Sequence, residues 1–96
     1  MIRHTVVFTL KHAAGSAEEK SFLQEAKLLA DIPGVEKFER LRQTSKKNNY
    51  TFGFSMELKD AAAYDAYNAH PDHTDFVQGR WIPEVATFME IDYEPL

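Results

Sequence analysis

The segment Ile2-Arg3-His4-Thr5-Val6-Val7-Phe8-Thr9-Leu10 alternates along its whole length. Ile2, His4, Val6, Phe8 and Leu10 fall on one side of an extended chain, and Arg3, Thr5, Val7 and Thr9 on the other. Period two with β-branched residues predicts a strand, because successive side chains of an extended backbone point to opposite faces. His4 therefore shares a face with four apolar residues.

Outward from this strand, Ala13-Ala14-Gly15-Ser16 ends the alternation. Ser16 with Glu19 three residues on is a capping-box pattern, and it predicts a helix from about Ala17 to Ala30. Phe22, Leu23, Ala26, Leu29 and Ala30 would form its inner stripe, with Glu18, Lys20 and Glu25 outside. Ile32-Pro33-Gly34-Val35 stops it, since proline cannot extend the hydrogen-bond ladder and glycine permits a reversal. A second strand is expected over Glu36 to Gln43 with Phe38 inward. Ser45-Lys46-Lys47-Asn48-Asn49 is a polar connection. A third strand, Tyr50 to Leu58, places Tyr50, Phe52, Phe54 and Met56 on one face and Thr51, Gly53, Ser55 and Glu57 on the other. Asp60 caps a helix to about Ala69 with Ala63, Tyr64 and Tyr67 inside. Pro71 suits the first position of a new helical turn through Phe76 and Val77. Trp81-Ile82-Pro83 is expected to break that turn, and Glu84 to Tyr93 to form the last strand.

The order β-α-β-β-α-β predicts an α+β, ferredoxin-like domain: a four-stranded antiparallel sheet with both helices on one face. Residues 1–96 are expected to make one domain, because 96 residues hold too little apolar mass for two cores. The other sheet face carries Thr5, Val7, Thr9, Thr51, Gly53 and Ser55, which are small and weakly polar. A solvated face usually carries more charge, so a partner is expected there, a second copy being the simplest.

Composition narrows the function. A formal net charge of -4 gives no electrostatic basis for binding nucleic acid. The basic knot of Arg40, Arg42, Lys46 and Lys47 reads as a solvated turn. The absence of cysteine excludes disulfides, thiolate metal sites and cysteine nucleophiles. No apolar run could span a bilayer and no signal-peptide pattern precedes the first strand, so no membrane association and a cytoplasmic location are expected. No glycine-rich phosphate loop or nucleophile elbow is present, and no organic cofactor is expected. His70 and His73 lie three apart near Asp72 and Asp75, but they fall short of a convergent ligand set, so no metal is expected.

The chemistry concentrates in His4, the pair Tyr64 and Tyr67, and the turn His70-Pro71-Asp72-His73. With the first strand central, Tyr67 and His73 could be brought over His4. Two imidazoles and a phenol can move protons near neutral pH and bind an oxyanion. Phe8, Phe52, Phe54 and Phe76, with Leu23, would give an apolar lining suited to a small hydrophobic or aromatic ligand. Each residue also has a plain structural reading: His4 with both ring nitrogens satisfied by neighbours, the tyrosines as packing residues, His70 as a helix cap.

Ile2-Arg3-His4-Thr5-Val6-Val7-Phe8, Ile32-Pro33-Gly34-Val35, Tyr67-Asn68-Ala69-His70-Pro71-Asp72-His73-Thr74-Asp75-Phe76 and Ile91-Asp92-Tyr93 resemble the stress-responsive A/B barrel (Dabb) family of the dimeric α/β-barrel superfamily. The resemblance spans nearly the whole chain. It implies a ferredoxin-like monomer whose sheet packs face to face with that of a second copy. It also implies candidate site residues, because a plant member closes a linear polyketide by an intramolecular aldol reaction in a pocket between helices and sheet. His4, Tyr67 and His73 match groups of that pocket, whereas Phe52 stands where the cyclase has a further histidine. Two functions follow as expectations: a homodimeric domain that binds a small hydrophobic ligand, or a cofactor-independent cyclase-like or monooxygenase-like enzyme using His73, His4 and Tyr67.

Overall fold

A computed structural model describes all 96 residues, Met1–Leu96. Strand β1 runs Ile2–Leu10, β2 Glu36–Arg42, β3 Phe52–Leu58 and β4 Val85–Tyr93. They form one antiparallel sheet in the order β2-β3-β1-β4, so β1 is interior and β4 is an edge. The helices are α1 (Ala17–Glu25), α2 (Ala61–Ala69), α3 (Pro71–Phe76) and the short α4 (Ile82–Glu84). No helix is long and apolar enough to cross a membrane.

Local chemistry sets the helix ends. The Ser16 hydroxyl accepts from the Glu19 amide at 3.2 Å, while the Glu19 carboxylate reaches one residue further back, to the Gly15 amide at 3.0 Å. Asp60 accepts from the Ala63 amide at 2.9 Å. The expected first helix changes character at Ala26 and continues to Asp31 as a 3-10 helix. Three residues per turn put Ala26, Leu29 and Ile32 in one buried row and leave Ala30, expected inside, exposed. Pro33 and Gly34 then turn the chain, Gly34 at φ +90°, which favours a residue without Cβ.

The break expected at Trp81-Ile82-Pro83 does not occur. Helical backbone continues from Pro71 to Glu84 because Val77–Trp81 widens into a π turn, in which the Ile82 amide bonds the Val77 carbonyl. Pro83 then sits within α4, immediately after the π turn. A cluster braces this segment. Arg80 grips Glu84 and reaches the Ser21 hydroxyl, and His12 Nε2 lies 2.7 Å from Glu84 Oε1. Burial pushes the Glu84 carboxyl up, but the hydrogen bonds from Arg80 and His12 outweigh it and hold it below the usual carboxylate range.

The core lies between the helices and one face of the sheet. Phe8 and Phe22 are fully buried, with ring centroids 5.8 Å apart. Phe8 also meets Phe54 at 4.7 Å and Trp81 at 5.0 Å, and Phe22 meets Phe76 at 5.4 Å. The two arginines of the basic knot are not in the turn. They lie on β2, where Arg40 donates to the Leu23 carbonyl at 2.8 Å and Arg42 stands over the Phe52 ring.

The opposite sheet face carries no helix. The pairings Val7↔Met89, Thr5↔Ile91, Arg3↔Tyr93 and Leu41↔Gly53 place Val7, Met89, Ile91, Tyr93 and Leu41 together on it. Met89, Tyr93 and Leu41 are exposed. Glu57 on the same face is buried and held by ion pairs with Lys37 at 3.0 Å and Arg3 at 3.5 Å. The Lys37 ammonium, then Arg3, lowers the Glu57 carboxyl below the usual range, against the opposing effect of its burial.

Candidate functional site

His4 occupies the middle of the sheet, on the helix side of β1, with β3 on one flank and β4 on the other. It is 8% exposed. Its register partner on β4 is Asp92, and its Nδ1 lies 2.6 Å from Asp92 Oδ1. From α2 the Tyr64 hydroxyl donates to Asp92 Oδ2 at 2.8 Å and stands 2.8 Å from the same Nδ1. A carboxylate can only accept, so Nδ1 carries the proton of the neutral ring and Nε2 keeps a lone pair. Burial, then the Asp92 hydrogen bond, pushes the Tyr64 phenol far above its ordinary range and keeps it a donor.

Beside His4 a cavity of about 360 Å³ opens between the sheet and the run α2-α3-α4. Its wall is mainly apolar, with Phe54, Phe76, Trp81 and Phe88 as its aromatic members. His4, Tyr67 and His73 all line it, so the structure brings this sequence-selected trio to one place. Tyr67 lies between the two imidazoles, 6.0 Å from the His4 ring and 4.6 Å from that of His73. The Tyr67 hydroxyl has no protein partner and is not sealed off, although the residue is only 2% exposed. Burial, with an added contribution from the Glu90 carboxylate, drives this phenol far above its ordinary range.

His73 is anchored differently. Its Nδ1 donates to the Asn68 carbonyl at 3.1 Å, which leaves Nε2 as the free nitrogen of the neutral ring. Burial pushes this imidazole below its ordinary range, and the Asn68 hydrogen bond opposes that only in part. His70 stands apart from the trio: its Nδ1 accepts from the Asp72 amide at 3.1 Å and caps α3.

Of the four phenylalanines expected to line a pocket, Phe54 and Phe76 do so. Phe8 and Phe52 lie outside the wall, packed against each other at 5.9 Å within the core. Five further residues shape the site without having been singled out for it: Asp92 and Glu90, both on the helix side of β4, with Trp81, Phe88 and Asn68. Alternation along β4 groups Phe88, Glu90 and Asp92 on one face. The partner of His4 follows only from the pairing of β4 with β1, which no local pattern specifies.

The arrangement supplies a His–Asp pair whose free nitrogen borders an apolar cavity, a phenol and a second neutral imidazole. These groups can hold a polar head group and move a proton to or from it.

A family model described as the Stress responsive A/B Barrel Domain matches residues 2–95. Among solved structures, the chain is similar to a Mesorhizobium loti protein described as a dabb family protein with a ferredoxin-like fold. The two are 64% identical with a TM-score of 0.98, over 99% of this chain and 96% of that one. It is also similar to a dimeric ferredoxin-like protein of unknown function from Thermobifida fusca (21% identity, TM-score 0.79, 96% and 88% covered). A hydroxynitrile lyase from Passiflora edulis shares the fold at 13% identity, with TM-score 0.82 over 96% of this chain and 90% of that one. No curated protein sequence matches the chain.

Proposed function

The chain belongs to the stress responsive A/B barrel domain family, and from that membership we propose a homodimeric domain that binds a small, mainly apolar molecule with one polar group in the cavity between helices and sheet. The observation that carries this reading is the convergence of His4, Tyr67 and His73 on a cavity whose remaining wall is mostly apolar. A volume of about 360 Å³ suits a small organic molecule. Polar side chains with free hydrogen-bonding atoms around a mainly apolar space can orient a ligand that enters it. The dimer reading rests on the apolar, helix-free sheet face and on dimeric relatives of the same fold.

The test is an NMR titration of the full chain with small aromatic and aliphatic compounds bearing a hydroxyl or carbonyl. The His4 and His73 ring signals should move together with one saturation curve. If neither ring responds to any compound, the ligand-binding reading fails. Light scattering should give twice the 11.0 kDa of one chain; a monomer at micromolar concentration would sink the dimer.

A second reading, cofactor-independent proton transfer, is favoured by one contact, the 2.6 Å approach of Asp92 to His4 Nδ1. A carboxylate there orients the ring and stabilises its protonated form as Nε2 takes a proton. On this reading His4 is the general base, Tyr67 bonds the developing oxyanion and His73 positions the ligand. Deuterium exchange into an activated carbonyl compound in heavy water should be catalysed by the native chain and lost in His4→Gln. Equal exchange by both would remove the reading.

A further inference from the structure

The polar groups of the cavity are biased towards acceptors. With Asp92 accepting from His4 Nδ1 and the Asn68 carbonyl accepting from His73 Nδ1, each ring in its neutral form presents a lone pair at Nε2. Glu90, which has no hydrogen bond or ion pair within the protein, adds a carboxylate to the same lining. Its field reaches inward, acting on Tyr67 and on His73. Against these acceptors stand the Tyr67 hydroxyl and the Asn68 side-chain amide. No lysine or arginine lines the cavity.

Such a site rewards a ligand that donates and repels one that is anionic. A bare carbonyl compound can only accept and would leave both imidazole lone pairs unmatched. A carboxylate would meet no lysine or arginine and would face Glu90. An ammonium would donate to the same acceptors and gain from Glu90 and the aromatic faces, but on entering it would give up far more hydration than a neutral hydroxyl does. Resting on the ligand-binding reading above, we propose that the cavity selects an uncharged hydroxyl compound, a phenol by preference, and that Glu90 is the residue that excludes carboxylates. The preference for a phenol over an aliphatic alcohol follows from the aromatic wall of Phe54, Phe76, Trp81 and Phe88, which can pack a ring edge to face.

The test uses the full native chain at neutral pH with probes that share one apolar body: 4-propylphenol, 4-propylanisole, 4-propylbenzoate, 4-propylbenzylamine and propylbenzene. Affinities are measured by calorimetry and by the His4 and His73 ring signals. The phenol should bind about tenfold or more tightly than its methyl ether, because the ether leaves the acceptors unpaired. The benzoate should bind weakest, and Glu90→Gln should raise its affinity several-fold relative to that of the phenol. Glu90 is exposed and unpaired on an edge strand, so this substitution leaves the core untouched. An anisole that binds as tightly as the phenol overturns this inference and leaves the ligand-binding reading in place. So does a benzoate or benzylamine that binds tightest. If no probe binds, propylbenzene included, both fall.

Discussion

His4 and Asp92, 88 positions apart in the chain, meet at 2.6 Å across the paired strands β1 and β4, the one interior and the other an edge. This contact fixes more than ring orientation. It assigns the proton of the neutral imidazole to Nδ1 and so decides what the cavity is offered at Nε2.

The first prediction concerns that assignment. In the native chain the neutral His4 ring should show a protonated Nδ1 and a bare Nε2, read from imidazole nitrogen shifts. In Asp92→Ala the tautomers should mix, since only Tyr64 remains beside Nδ1. Asp92 is partly exposed, so the loss of stability should stay near 1 kcal/mol. A native ring with its proton on Nε2 would contradict the assignment.

The second concerns His73 and pH. Burial lowers its pKa in the folded chain below the ordinary value of 6.5. Between that ordinary value and the lowered one, the unfolded chain holds a proton on His73 that the folded chain does not. Stability therefore rises with pH across this window and is flat above it with respect to this group. His73→Gln should remove that share of the slope, seen as a smaller change in urea midpoint between mildly acidic and neutral pH. An unchanged slope would show that His73 titrates alike in both states.

Much of this site was legible in the alternation of β1, and its limits have physical causes. Period two placed His4 on the helix side, and Ser16 and Asp60 marked their helices through side-chain oxygens that do cap them. The π turn at Val77–Trp81 left no mark in residue type, because it depends on which carbonyl the Ile82 amide reaches. Proline at position 83 therefore looked like a breaker when it follows the π turn inside α4. Phe8 and Phe52 share a face with pocket residues, yet they lie beyond the cavity, where packing fills the space. Alternation gives a face; it does not give depth along it.

That distinction supports a third prediction, on two aromatic residues near Trp81. Phe22 is fully buried among Phe8, Phe76 and Trp81. Phe22→Ala should cost about 3–5 kcal/mol in urea unfolding, through lost transfer energy and the cavity left behind. Phe88 is 53% exposed and touches Trp81 edge-on at the cavity wall. Phe88→Ala should cost under about 1 kcal/mol yet weaken binding of any ligand that uses that wall. Similar losses from both would mean that Phe88 belongs to the core.

The fourth prediction separates the two faces of β4 with neighbouring residues. Met89 opposes Val7 on the helix-free face, 46% exposed in the single chain, whereas Phe88 opposes Phe8 on the helix side. If a second copy covers the helix-free face, Met89→Asp buries an unpaired carboxylate in an apolar interface, which costs far more than a hydrogen bond gained elsewhere could return. The chain should then run as a folded monomer in light scattering, with its circular dichroism intact. Phe88→Asp, one residue away, should leave the mass at twice the single chain because its side chain points to the cavity. Period two makes the comparison sharp, since the same charge moved by one position changes faces. Loss of the dimer in both variants, or in neither, would mean that the partner does not sit on this face.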